Sequence, residues 1–131
     1  MLRKLFGALR RVAGIADLVT PVGVDAEFVL RYEDLDVGVL TLHNGTWSFR
    51  YSDEFRNQSE LRPLVDFPDP ARTYEREELW PFFLSRIPSP AQPEVQRAIE
   101  DERLDARNAV AMLRRFGERT IANPFVLNEA A

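Results

Sequence analysis

The dipeptide Asn44-Gly45 sits between two runs in which apolar and polar residues alternate, VGVLTLH before it and TWSFRY after it. A type I′ loop needs φ > 0 at both of its residues, which Asn tolerates and Gly adopts freely. This pair is therefore the strongest short-range hairpin signal a chain can carry. A loop of just those two residues sets the register: Leu42 faces Trp47, Leu40 faces Phe49 and Gly38 faces Tyr51. All six then share one side of the ribbon, while Thr41–Ser48 and Val39–Arg50 share the other. Slipping by one residue would turn every aromatic to the wrong face, so turn chemistry and alternation agree. Gly38 is expected to offer bare backbone for the Tyr51 ring to lie over.

The residues before this hairpin extend it. AEFVLRY, residues 26–32, alternates Phe28, Leu30 and Tyr32 against Glu27, Val29 and Arg31, the pattern of a half-buried strand. The expected pairing places Leu30 beside Leu40 and Tyr32 beside Gly38, across an odd-length connection of residues 34–36 or 33–37. After Tyr51 a polar stretch carries Phe55 in a helical turn or loop, and LRPLVDF, residues 61–67, reads as a further strand. Pro63 confines that strand to an edge, since it has no N–H for a ladder.

The second half reads as helical. Thr73 is expected to cap a short helix through Glu78, interrupted by Pro81, which opens a second short turn at its first position. Residues 93–104 form an amphipathic helix with Val95, Ala98 and Ile99 inward. Asp105 is expected to cap a last helix carrying Ala109, Val110, Leu113 and Phe116, with Gly117 as its stop. In the tail, Ile121, Phe125 and Leu127 are expected to dock on the body. The fold class is α+β: a small antiparallel meander or partly closed sheet over about residues 26–67, packed by short helices over about 73–117.

A chain of 131 residues is one domain. Residues 1–16 precede it, with Leu2, Leu5, Phe6, Leu9, Val12 and Ala16 at helical spacing and Arg3, Lys4, Arg10 and Arg11 opposite. As a secretory signal this stretch fails, because Arg10 and Arg11 interrupt an apolar run that is already too short. It is either a membrane-surface helix or a terminal helix that packs its stripe on this domain or on a partner. Of the 17 basic residues it holds four, so 13 stand against 21 acidic ones in the remainder. An acidic body repels phosphate, and no direct nucleic-acid contact is expected of it.

Candidate chemistry is sparse. The chain has no cysteine and one histidine, His43, which excludes a thiolate nucleophile or cysteine metal cluster and argues against a histidine metal site or serine triad. The glycines form no phosphate-cradling loop. Adjacent carboxylates such as Glu77-Glu78 and Asp101-Glu102 read as solvated helix surface, and Arg114 and Arg115 suit a helix C-terminus. No catalytic residue, cofactor or metal is expected. Apolar bulk is instead concentrated in LWPFFLSRIP, residues 79–88. Its side chains mostly suit a seam between helices and sheet, but not all can point one way. Trp80, Phe82, Phe83 and Arg86 are therefore the candidate partner-binding residues, being aromatic anchors beside an arginine.

Several of these residues form an ordered pattern: Val37-Gly38-x-Leu40, Gly45-x-Trp47-x-Phe49-x-Tyr51, Leu61-x-Pro63-Leu64, Phe82-Phe83-x-Ser85-x-Ile87-Pro88, and Asp105 with Leu113-x-x-Phe116-Gly117. The order and spacing, over about residues 26–127, resemble the N-terminal subdomain of the HipA-type toxin kinases of bacteria. In two places the chain departs from that pattern. Arg86-Ile87-Pro88-Ser89-Pro90 stands where the family has Leu-Leu-Pro-Glu-Gly, and Gly117-Glu118-Arg119-Thr120 where it ends in Gly-x-Asp and small residues. The resemblance implies a stand-alone form, similar to the separately encoded antitoxin subunit of HipBST-type systems. It further implies a cytoplasmic, non-enzymatic module that binds and inhibits a HipA-like kinase lacking its own N-terminal subdomain, in a complex that can include a DNA-binding HipB-like protein. The alternative is an accessory protein held on a membrane surface or nucleic acid by residues 1–16.

Overall fold

Asn44 at φ 50° and Gly45 at φ 75° close the central hairpin, both in the left-handed region that a type I′ loop demands. The computed structural model describes residues 18–130, so the helix expected over residues 1–16 lies outside the described residues. The elements run β1 (Ala26–Tyr32), β2 (Leu35–His43), β3 (Thr46–Tyr51), α1 (Asp53–Arg56), β4 (Tyr74–Arg76), α2 (Pro81–Leu84), α3 (Pro93–Glu102), α4 (Ala109–Phe116) and β5 (Val126–Glu129). The strands form one open antiparallel sheet in the order β4-β3-β2-β1-β5, and the fold is α+β.

The β2–β3 register is the expected one, with Leu42 paired to Trp47, Leu40 to Phe49 and Gly38 to Tyr51. These residues, with Phe28, Leu30 and Leu127, line the buried face, and Val95, Val110, Met112 and Leu113 from the helices complete the same core. The ring over Gly38 is that of Phe49 rather than Tyr51: a Cβ at Gly38 would meet Phe49 Cζ and the Arg50 carbonyl, each at 2.6 Å. Tyr51 is drawn elsewhere, stacking on Phe55 at 4.4 Å and sending its hydroxyl to a loop.

Other expectations are corrected. The β1–β2 pairing places Phe28 opposite Leu40 and Leu30 opposite Gly38, then shifts so that Arg31 meets Asp36. Val37 is the extra residue of this bulge, and a two-residue Glu33-Asp34 turn, with Glu33 at φ 52°, replaces the odd-length connection. The bulge is pinned by Ser52, whose N–H donates to the Val37 carbonyl (2.9 Å) and whose hydroxyl donates to the Asp36 carbonyl (2.5 Å). The same hydroxyl caps α1, the helical turn expected to carry Phe55, and Phe55 is buried in the core.

Residues 61–67 are a loop, not a strand. The Tyr51 hydroxyl accepts the Leu64 N–H at 2.8 Å and donates to the Phe67 carbonyl at 2.6 Å, which lays this loop across the aromatic face. Phe67 stacks on Phe49 at 4.3 Å. The fourth strand is instead Tyr74–Arg76, inside the expected helix, because it fills the open edge of β3 with Tyr74 beside Phe49 and Arg76 beside Trp47. A first-turn carboxylate is worth only about 0.3–1 kcal/mol to an exposed helix, too little to outweigh that pairing.

α2 opens on Pro81 as expected. α3 stops at Glu102 because Arg103 turns left-handed at φ 55°, and Leu104 N–H closes back on the Ile99 carbonyl. α4 is capped by Asn108, whose Oδ1 accepts from Val110 N (2.9 Å) and Ala111 N (3.1 Å). Asp105 caps only the preceding turn, accepting from Arg107 N at 3.0 Å. Gly117 ends the helix at φ −84°, a right-handed conformation. It is needed for space, since a Cβ would lie 2.5 Å from the Leu113 carbonyl oxygen. In the tail Leu127 is buried and Phe125 half-buried, but Ile121 is fully exposed and does not dock.

Candidate functional site

The segment richest in apolar bulk, residues 79–88, is built around the short α2, whose Phe82 N–H is held by Asp66 Oδ2 at 2.8 Å. That contact ties α2 to the loop that Tyr51 anchors. Pro81 at the first helical position fixes φ there and turns alternate aromatics to opposite sides. Phe83 goes fully inward, against Phe49 (5.8 Å) and Phe67 (6.0 Å). Trp80 is 6% exposed, edge-on to Phe67 at 4.9 Å, with the Arg76 guanidinium 6.0 Å from its ring.

Arg86 is 2% exposed. Its Nε donates to the Gly117 carbonyl (2.6 Å), Nη2 to the carbonyls of Glu118 (2.7 Å) and Phe125 (2.6 Å), and Nη1 to Asn123 Oδ1 (3.2 Å). Burial pushes its guanidinium down to about 10, still far above neutrality, so it stays a cation whose acceptors are all uncharged. Its work is to bind the strap of residues 117–125 against α2. The short, buried, charge-assisted bonds explain why the strap follows this path.

Phe82 is placed differently from the other three candidates. It is half-buried, edge-on to Phe83 at 5.1 Å and to Phe125 at 5.8 Å, and Phe125 in turn meets Tyr32 at 5.6 Å. Tyr32, Phe125 and Phe82 thus make a half-exposed aromatic strip from the end of β1 to α2. Two apolar side chains stand clear of the surface beside the segments that build it. Val65, 95% exposed, precedes Asp66, and Ile121, 107% exposed, caps the turn that the Thr120–Asn123 bridge closes. Of Trp80, Phe82, Phe83 and Arg86, the structure gives Phe82 a face that another molecule can reach.

Sequence reasoning did not single out Tyr32, Val65, Ile121 or Phe125 for this surface. Tyr32 reads as a core position of β1, and Ile121 and Phe125 as docking residues of a tail. The signal present was the turn chemistry of Thr120 and Asn123, whose side chains accept from Ala122 N (3.2 Å) and Phe125 N (3.1 Å).

Asp66 accepts a main-chain N–H beneath the strip, and Arg86 is bonded to three main-chain carbonyls and the Asn123 side chain. Among the described residues no group of three His, Cys, Asp or Glu side chains is placed to hold a metal ion. Among the same residues no helix is long and apolar enough to cross a membrane. His43 is exposed at the hairpin end, 3.0 Å from Asp25 and beside Asn44.

No curated protein matches the chain. Residues 29–122, from within β1 to the middle of the strap that Arg86 holds, match the family described as the HipA N-terminal domain, and the chain belongs to that family.

Proposed function

We propose that this domain is a non-enzymatic protein-binding module that docks on a HipA-like serine/threonine kinase and restrains it in the cytoplasm, as the antitoxin part of a toxin–antitoxin system. The observation that carries the proposal is the family match over residues 29–122, because the resemblance to HipA-type toxin kinases implies a kinase core as its companion. The aromatic strip supports it by offering Phe82, Phe125 and Tyr32 at a half-exposed surface, with Val65 exposed in the loop before α2 and Ile121 in the strap. Aromatic anchors of this kind dominate protein interfaces when a partner buries them. A partner kinase would lack an N-terminal subdomain of its own, and a HipB-like DNA-binding protein would join the same complex. Trp80, Phe83 and Arg86 would act beneath that surface, by holding Phe82 and the strap in place.

The test is to titrate the chain into such a kinase, reading affinity by calorimetry and autophosphorylation by phosphate incorporation. Binding should accompany loss of autophosphorylation. Phe82→Ala and Ile121→Asp should each weaken binding at least tenfold while the free domain keeps its cooperative unfolding. Undetectable binding, or binding untouched by both substitutions, would refute the proposal.

A further inference from the structure

Of the five asparagines in the chain, only Asn44 is followed by glycine; Asn57, Asn108, Asn123 and Asn128 precede Gln, Ala, Pro and Glu. The pair forms the tip of the β2–β3 hairpin, where Asn44 is exposed. Glycine gives its main-chain nitrogen no side chain to screen it, and a Cβ built on Gly45 would meet nothing nearer than Val22 Cγ2 at 3.9 Å. A carboxamide carbon and an unscreened nitrogen are thus neighbours in an open loop, the two ends of a five-membered ring. The Asn44 side chain is turned away from that nitrogen. Its Nδ2 lies 3.2 Å from His43 Nε2, and His43 Nδ1 lies 3.0 Å from Asp25 Oδ1. A carboxylate only accepts and an amide nitrogen only donates, so one tautomer satisfies both contacts: Nδ1–H donates to Asp25, and Nε2 accepts from Asn44. This relay draws the carboxamide back toward residue 43, whereas ring closure needs it forward over residue 45. The restraint is slight, because the side chains of His43 and Asp25 are 71% and 72% exposed and water competes for each bond.

We propose that Asn44 is a covalent modification site, held back by the Asp25–His43 relay and reached when the loop lets the carboxamide swing forward. The Gly45 nitrogen then attacks Asn44 Cγ and passes its proton to water. The Cγ–Nδ2 bond breaks, and Nδ2 leaves as ammonia with a proton taken from water. Water, the only co-reactant, opens the resulting succinimide at one carbonyl or the other, giving aspartate or isoaspartate at position 44. No oxidation or reduction is involved. Isoaspartate places an additional carbon in the main chain of the loop that sets the Leu42–Trp47 and Leu40–Phe49 register. Either product adds a carboxylate close to Asp25. Modified copies are thus marked, and loosened, at the hairpin around which the sheet is built. The inference rests on this loop and is independent of any kinase partner.

The test is to incubate the full chain at neutral pH, folded or in urea, and follow the loop peptide by mass spectrometry. Isoaspartate is read by methyl transfer from S-adenosylmethionine with an isoaspartate methyltransferase. It should gather at position 44 ahead of the other four asparagines, at least tenfold more slowly in the folded chain than in urea. His43→Ala should raise the folded rate at least threefold and leave the rate in urea unchanged. Amide exchange at Leu40 and Phe49 should hold in that variant, which separates a released carboxamide from a loosened sheet. Asp25→Asn removes the charge that orients the imidazole and should raise the folded rate at least twofold, even if His43→Ala fails to fold. In chains carrying isoaspartate, exchange at Leu40 and Phe49 should quicken at least tenfold. Equal rates folded and in urea, a folded rate indifferent to both substitutions, or unchanged exchange in the modified chains would overturn the inference.

Discussion

Replacing Tyr51 by Phe keeps an aromatic ring in the core and deletes one oxygen, and the structure says what that oxygen does. The hydroxyl donates to the buried Phe67 carbonyl at 2.6 Å and accepts the Leu64 N–H at 2.8 Å, bridging the loop of residues 61–67 to β3. Leaving two such main-chain groups unpaired costs about 1–3 kcal/mol each, offset in part because a hydroxyl no longer has to be buried. A net loss of roughly 2–3 kcal/mol is expected, which is about 10 °C in Tm for a domain of this size. Burial raises the Tyr51 hydroxyl from 10.0 to about 12, and the Leu64 N–H only partly opposes this. Between those values the folded chain keeps a proton that the unfolded chain has released. The stability this provides is therefore complete below about pH 10 and is lost as pH rises through about 12. Urea unfolding followed by tryptophan fluorescence, from about pH 8 to pH 12, should show the gap between wild type and Tyr51→Phe narrowing across that window. A loss below about 0.5 kcal/mol at pH 8, or a gap indifferent to pH, would refute the reasoning.

Two further outcomes are expected. Gly38→Ala should cost about 1–3 kcal/mol by the same measurement, because the new Cβ has only 2.6 Å to the Arg50 carbonyl and to Phe49 Cζ. Asn108→Ala should lower stability by about 1 kcal/mol through loss of the α4 cap, while Asp105→Ala should cost less than half as much; equal effects would mean that the cap is misassigned.

What could be read from the sequence was what local chemistry decides. Asn44-Gly45 needs no tertiary context, so the β2–β3 pairing followed from the turn, and Pro81 by its own chemistry marked the start of α2. The β1–β2 register was displaced because a bulge at Val37 leaves no mark in the alternation; Ser52, fifteen residues on, is what secures it. Residues 61–67 look more strand-like than 74–76. Which of them fills the edge of β3 is settled by the Tyr51 hydroxyl and the stacking of Phe67. β5 was missed because four residues carry too little pattern, and its place beside β1 depends on contacts a hundred residues apart in the chain. The aromatic strip was invisible for a related reason. Phe82 and Phe83 are chemically alike, and only the packed helix decides which one stays at the surface.

Arg86 has a consequence for the order in which the molecule assembles. The central hairpin needs only neighbours in sequence, so it can form early, whereas the strap and β5 return to the sheet from the far end of the chain. A guanidinium gives up its water only when replacements are ready, and here they come from four separate residues between 117 and 125. Partial docking of the strap would leave a dehydrated cation short of acceptors, so half-closed states are disfavoured. The last strand therefore closes as a latch, all at once, and stretches from α2 to the C-terminus open together rather than fraying residue by residue.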